Sequence, residues 1–131
     1  MKDDWLDKVN WAQDGLVPAV VQEAGSGKVL TVAWMNREAL GKTVASGEAH
    51  YWSRSRRKLW RQGEESGHVQ EVKAVYVDCD LDTLVIEVVQ HGAACHDGYR
   101  SCFYRRLSAA GDWEVADQRL VDPKTIYKTG K

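Results

Sequence analysis

Between Asp78 and Tyr104 the chain concentrates the residue types that bind metals. All three cysteines, Cys79, Cys95 and Cys102, fall here, together with carboxylates at Asp78, Asp80 and Asp82 and a histidine, His96, directly after a cysteine. Thiolates are soft ligands that suit zinc, and carboxylates are hard ligands that suit magnesium or calcium. The stretch reads as two metal sites of different character, close together in sequence.

Cys95 and Cys102 are seven residues apart with Gly98 between them to bend the loop. This is not the tight C-x-x-C pair of a zinc ribbon. Taken alone, the three cysteines fit three buried reduced thiols as well as they fit a metal site. A closed Cys₃His site completed by His68, His91 or His96 is a third reading. The alternating aspartates, if the strand stays extended, share one face, with Cys79 and Leu81 on the other. A solvated strand end is the commoner meaning of such a run. Three carboxylates so close repel unless a cation or solvent relieves them, and their oxygens would suit a hard divalent ion. On the extended reading, soft and hard ions lie on opposite faces.

Other polar residues carry weaker signals. Arg54, Arg56, Arg57 and Lys58 form a basic cluster ahead of Trp60. In isolation it reads as a solvated face, or as an RNA contact built from cations and a stacking ring. His50 reads as structural, and His91 is assigned no role.

The elements that hold these residues read as strand-rich. Apolar β-branched runs at 17–23 and 28–35 flank the turn-forming Ala24-Gly25-Ser26-Gly27, which predicts a hairpin; Pro18 fits only a strand end or edge. Asn36 is a good N-cap and Gly47 a good stop for one helix. Further strands are expected at 49–53, 68–77, 83–90, 101–107 and 113–115. Helical turns are expected within 1–13 and 118–131. The pattern predicts an α+β fold with a mainly antiparallel sheet, without the strand–helix alternation of a doubly wound sheet.

Totals narrow the class. The 131 residues suit one domain, 1–131. A net charge of −1 gives no reason to expect nucleic acid or an anionic membrane as partner. No apolar segment approaches the roughly 20 residues of a membrane span, and an odd cysteine count without a signal core fits reduced thiols in a cytoplasmic protein.

The runs YVDCDLDTLVIEVVQHGAACHDGYRSCFYR, YWSRSRRKLWRQGEESGHVQ and LTVAWMNREAL resemble, in order and spacing, the phosphoribosyl-AMP cyclohydrolase family, over about Asp14 to Arg106. The resemblance implies a hydrolase of histidine biosynthesis. It would open the adenine ring of 1-(5-phosphoribosyl)-AMP to give the phosphoribosyl-formimino aminoimidazole carboxamide ribotide. It implies an intertwined homodimer with one Zn²⁺ per subunit, held by Cys79 of one chain with Cys95 and Cys102 of the other. It further implies Mg²⁺ on Asp78, Asp80 and Asp82.

Three protein ligands would leave zinc a position for water, which zinc can acidify toward a pKa of roughly 7; three thiolates donate much charge to the ion, so less acidification is expected here and a nearby base matters more. His96 then becomes the expected general base, since an imidazole pKa of roughly 6.5 suits proton transfer near neutrality; the alternative is that it only orients Cys95. His68, within G-E-x-S-G-H, is the second candidate base or a substrate contact. Arg54 and Arg56, from S-R-S-R, are expected to hold a substrate phosphate, with Arg100 and Arg105 as weaker candidates. Asp97 departs from the Thr or Lys more usual in the family; its charge would raise the pKa of His96 or face solvent. The chain is expected to perform the cyclohydrolase step without a fused pyrophosphohydrolase domain. The rival reading is a small zinc-stabilised RNA-binding module. The slightly negative charge counts against it, and it would leave the aspartates and His96 unexplained.

Overall fold

A computed structural model describes residues 4–95 and 97–120. The centre is a four-stranded sheet in the order β2-β1-β6-β5, made by β1 (Val17–Glu23), β2 (Val29–Met35), β5 (Gln70–Val77) and β6 (Leu84–Gln90). β1 and β2 form the expected antiparallel hairpin, and β5 and β6 a second one. β1 and β6 then join the two hairpins in parallel, with Ala19 opposite Leu84 and Val21 opposite Ile86. That ladder begins at Ala19, so Pro18 sits at the strand end, before its missing N–H would be needed.

Alternation explains the core. Val17, Ala19 and Val21 of β1 and Leu84, Ile86 and Val88 of β6 point to one buried face. Leu30, Met35, Ala39, Leu40 and Tyr51 fill it from the neighbouring elements. Each fully buried Val, Leu, Ile or Met side chain of this set stabilises the fold by roughly 1.5–3 kcal/mol.

The helix α2 (Arg37–Ser46) has the predicted ends. Asn36 Oδ1 accepts from the Ala39 N–H at 2.8 Å, and Gly47 closes the helix in the left-handed region with φ of 79°. Such a cap contributes about 1 kcal/mol. Thr43 of α2 accepts from the His50 N–H at 2.9 Å and so ties the helix to β3 (His50–Ser53). His50 Nδ1 lies 2.8 Å from the Glu48 carbonyl oxygen, in keeping with a structural role.

Several expectations change. β3 pairs with a strand not foreseen, β4 (Lys58–Arg61), so the basic cluster is the tip of a hairpin. The 68–77 strand starts at Gln70 and the 101–107 strand shrinks to β7 (Arg105–Leu107), which pairs with β8 (Trp113–Val115). Loop 101–104 is instead spent on docking. The Cys102 N–H donates to the Leu30 carbonyl oxygen at 2.7 Å and Ser101 Oγ to that of Val29 at 2.7 Å, which covers β2. The N-terminal helix α1 is one turn, Asp4–Asp7. Residues 118–120 are not helical, and the rest of the expected C-terminal helix lies outside the described residues.

Candidate active site

The aspartates occupy a turn, which corrects the extended reading. Asp78 donates its N–H to the Thr83 carbonyl oxygen and accepts at its own carbonyl from Leu81, both at 3.0 Å. Leu81 has φ of 63° and breaks the strand. The turn still gathers the charges. Carboxylate oxygens of Asp78, Asp80 and Asp82 lie within 4.8 Å of one another, and no lysine or arginine pairs with them among the described residues. Three adjacent oxygen ligands with no counter-charge fit a hard divalent cation. Asp78 Oδ1 also accepts from the Asp82 N–H at 3.1 Å, which holds the two ends of the triad together. Cys79 is exposed, and its Sγ lies 3.8 Å from Asp80 Oδ1. With the strand broken, the opposite-face separation of soft and hard ligands no longer follows.

Cys95 and Cys102 are brought together on a loop that Gly98, with φ of 94°, folds back on itself. Cys95 donates its N–H to the Tyr99 carbonyl oxygen at 3.1 Å, and Gly98 donates to that of Cys95 at 2.9 Å. Cys102 touches both Cys95 and Thr31, and burial first, then its neighbour Cys95, pushes its thiol up to about 11. Metal-free Cys102 is therefore protonated near neutrality. The Asp97 N–H lies 3.4 Å from Cys95 Sγ and is placed to donate to it, as it would to a thiolate. Tyr99 and Tyr104 stack at 3.7 Å beside Cys95, with Arg105 over Tyr104 and Arg119 over Tyr99. Tyr104 donates its hydroxyl to Asp97 Oδ2 at 2.8 Å, which raises the pKa of the phenol. The cysteines thus fall into a close pair, Cys95 and Cys102, and an exposed third, Cys79, beside the aspartates. His96, between them in sequence, lies outside the described residues.

A cleft of about 360 Å³ opens beside the cysteine loop. Its lining includes Arg56, Lys58, Trp60 and Ser66, and Ala94, the residue before Cys95. The β3–β4 hairpin supplies the cations. Arg57, with φ of 56°, makes its tight end, and Ser53 Oγ accepts from the Arg56 N–H at 3.2 Å. Trp60 is held at 5.2 Å from the buried Tyr51 ring. Arg61 is paired with Glu48 at 3.1 Å, which leaves Arg56 and Lys58 as the uncommitted cations of the cleft. Arg54 lies outside this lining, with its guanidinium 4.3 Å from the centre of the Trp34 ring. Arg100 is committed elsewhere, to Glu23.

His68 is half-buried at the foot of the cleft's 63–66 wall, with Nδ1 at 3.1 Å from the Ala93 carbonyl oxygen. His91 is exposed and lies 3.5 Å from Glu71. Sequence reasoning did not foresee the parts of the cleft set by pairing across strands. Lys58 and Trp60 face it because they alternate on β4, a signal present in Lys58-Leu59-Trp60-Arg61 but too short to weigh alone.

The chain is similar to known proteins over nearly its whole length. A sequence model of the phosphoribosyl-AMP cyclohydrolase family matches residues 31–104. Curated proteins named phosphoribosyl-AMP cyclohydrolase are similar as well. That of Nitrosomonas europaea is 56% identical over 97% of this chain and 98% of its own length. That of Aromatoleum aromaticum is 55% identical over 95% and 94%, and that of Herminiimonas arsenicoxydans 56% identical over 95% and 96%.

Proposed function

The chain belongs to the phosphoribosyl-AMP cyclohydrolase family, and from that membership we propose how its residues divide the work of opening the adenine ring of phosphoribosyl-AMP, a step of histidine biosynthesis. Water adds to the six-position carbon of the purine. The bond from that carbon to the ribosylated ring nitrogen then breaks, and the nitrogen takes up a proton. The observation that best supports this assignment of parts is the position of Ala94. It lines the cleft of Arg56, Lys58 and Trp60, and its next neighbour is Cys95. A nucleotide phosphate seated on the cations would therefore place the purine toward the thiols.

Cys95 and Cys102 of one chain, with Cys79 of a second, would hold zinc. The close pair of buried Cys95 and half-buried Cys102, and the exposed Cys79 apart from it, suit a site completed by a partner. Bound there, zinc supplies the Lewis acidity that makes water nucleophilic near neutral pH. Asp78, Asp80 and Asp82 would hold Mg²⁺, whose charge relieves their repulsion. His96 takes the proton of the attacking water and returns one to the leaving ring nitrogen. Arg56 grips a phosphate from within the cleft, and Arg54 assists from its seat on Trp34.

The setting we infer is a cytoplasmic homodimer of one-domain subunits. No helix among the described residues is long and apolar enough to cross a membrane. Trp5, Val44, Tyr76, Val77 and Leu81 form an exposed apolar face next to Cys79, which suits a second copy. The test is turnover of phosphoribosyl-AMP by the purified protein, with Cys95→Ser and Arg56→Ala as controls for the two halves of the site.

A further inference from the structure

Two glycines close on one histidine. A Cβ on Gly92 would lie 2.6 Å from His68 Cδ2 and 2.7 Å from Cγ, so the imidazole rests against the Gly92 backbone with no room for a side chain. A Cβ on Gly63 would lie 2.6 Å from the Val69 nitrogen and 2.7 Å from the His68 carbonyl carbon. Both glycines have positive φ, 87° at Gly63 and 84° at Gly92, which other residues adopt only under strain.

The histidine is then bonded in three directions. Its N–H donates to Ser66 Oγ at 3.1 Å, and its carbonyl oxygen accepts from Gln90 Nε2 at 3.2 Å. Gln90 is held in turn by Gln70 at 2.8 Å, and Gln70 by the Tyr51 hydroxyl, deep in the core. On the ring, Nδ1 lies 3.1 Å from the Ala93 carbonyl oxygen and 3.2 Å from the Ala93 nitrogen. Carrying a proton, it donates to the carbonyl; without one, it accepts from the amide. In both forms it is tied to the Ala93 backbone. His68 does not line the cleft, and its Nε2 has no hydrogen-bond partner among the described residues.

Loop 63–66 lines the cleft on one side of His68, and Ala94 and Cys95 follow Ala93 on the other. We propose that His68 is a positioning residue, which through an unprotonated Nδ1 accepting from the Ala93 amide, and through the Gly92 contact, fixes the height of the cysteine loop against the nucleotide cleft. This rests on the reading of the two as one site. It assigns the work to Nδ1, whereas action as a base would need Nε2, and the two assignments separate by substitution.

The experiment compares His68→Asn, His68→Gln and Gly92→Ala in the full-length protein, reading amide hydrogen exchange at Ala93 by NMR alongside kcat and KM. Asparagine places an amide where Nδ1 stands, and glutamine places one near Nε2. The Asn variant should keep Ala93 slow to exchange and kcat within about threefold of the parent. The Gln variant should free the Ala93 amide and lower kcat about 10- to 100-fold, the usual loss when a residue that orients a metal ligand is removed, with KM little changed. Gly92→Ala should repeat the Gln result, and the double variant should fall no further. A Gln variant that works beside an Asn variant that does not would overturn the proposal, as would additive losses. Rapid exchange of Ala93 in the parent protein would overturn it without any variant. The exchange reading needs no turnover, so it stands or falls apart from the cyclohydrolase assignment.

Discussion

Arg100 and Glu23 are joined by a hydrogen-bonded ion pair, Nε to Oε2 at 2.6 Å, between the middle of the cysteine loop and the end of β1. The loop is thus anchored to the sheet by charge as well as by the Ser101 hydroxyl and the Cys102 backbone N–H. Glu23 is 17% exposed and Arg100 39%, so solvent weakens the pair without removing it.

Glu23→Gln should cost about 1 kcal/mol of stability at pH 7. The Ser26 hydroxyl first, and then Arg100 against the cost of burial, hold the Glu23 carboxyl below its ordinary 4.5. A lowered folded pKa gives stability that is present above pH 4.5 and is lost as pH falls through the folded value. Thermal melts between pH 3 and 7 should therefore converge for the two proteins at the acid end and separate near neutrality.

Zinc loading of the metal-free protein should release protons, because Cys102 holds its thiol proton up to about pH 11. Calorimetry in two buffers of different ionisation enthalpy reads this directly. Cys95→Ser and Cys102→Ser should each abolish tight zinc binding and turnover. Far-ultraviolet circular dichroism should stay near the parent's, since the core of Val21, Ile86 and Leu30 lies outside the metal site.

Asp80→Asn should remove the response to magnesium. In the parent, three carboxylates within 4.8 Å repel, so added Mg²⁺ should raise the melting temperature. In the variant the repulsion is partly relieved already. Its melting temperature without magnesium should equal or exceed the parent's and change little on addition. A parent protein indifferent to magnesium would remove the hard-ion assignment.

Arg56→Ala should raise KM about 10- to 100-fold, the loss of a charge-assisted bond to phosphate, with a smaller effect on kcat. Arg54→Ala should raise it less, because that guanidinium is spent on Trp34. Steady-state kinetics on both variants checks the order.

What could be read from the sequence was local. Asn36 and Gly47 marked the ends of α2 because a cap is a matter of a few adjacent residues. That the three aspartates would gather their charges was legible in their types and spacing. Their backbone was not, since Asp-x-Asp-x-Asp alternates equally well in a strand and in a turn whose bend falls on Leu81. The parallel pairing of β1 with β6 joins residues some sixty-five positions apart, Ala19 with Leu84, and no short pattern announces it. The fit of His68 against Gly92 was hidden for the same reason: Q-x-G and G-H are separate motifs until the β5–β6 hairpin lays them side by side.

The most direct test is to supply phosphoribosyl-AMP to the purified protein and follow the ultraviolet change of ring opening, with and without a zinc chelator. The account predicts turnover that the chelator abolishes and added zinc restores. No turnover from protein carrying both zinc and magnesium would contradict it.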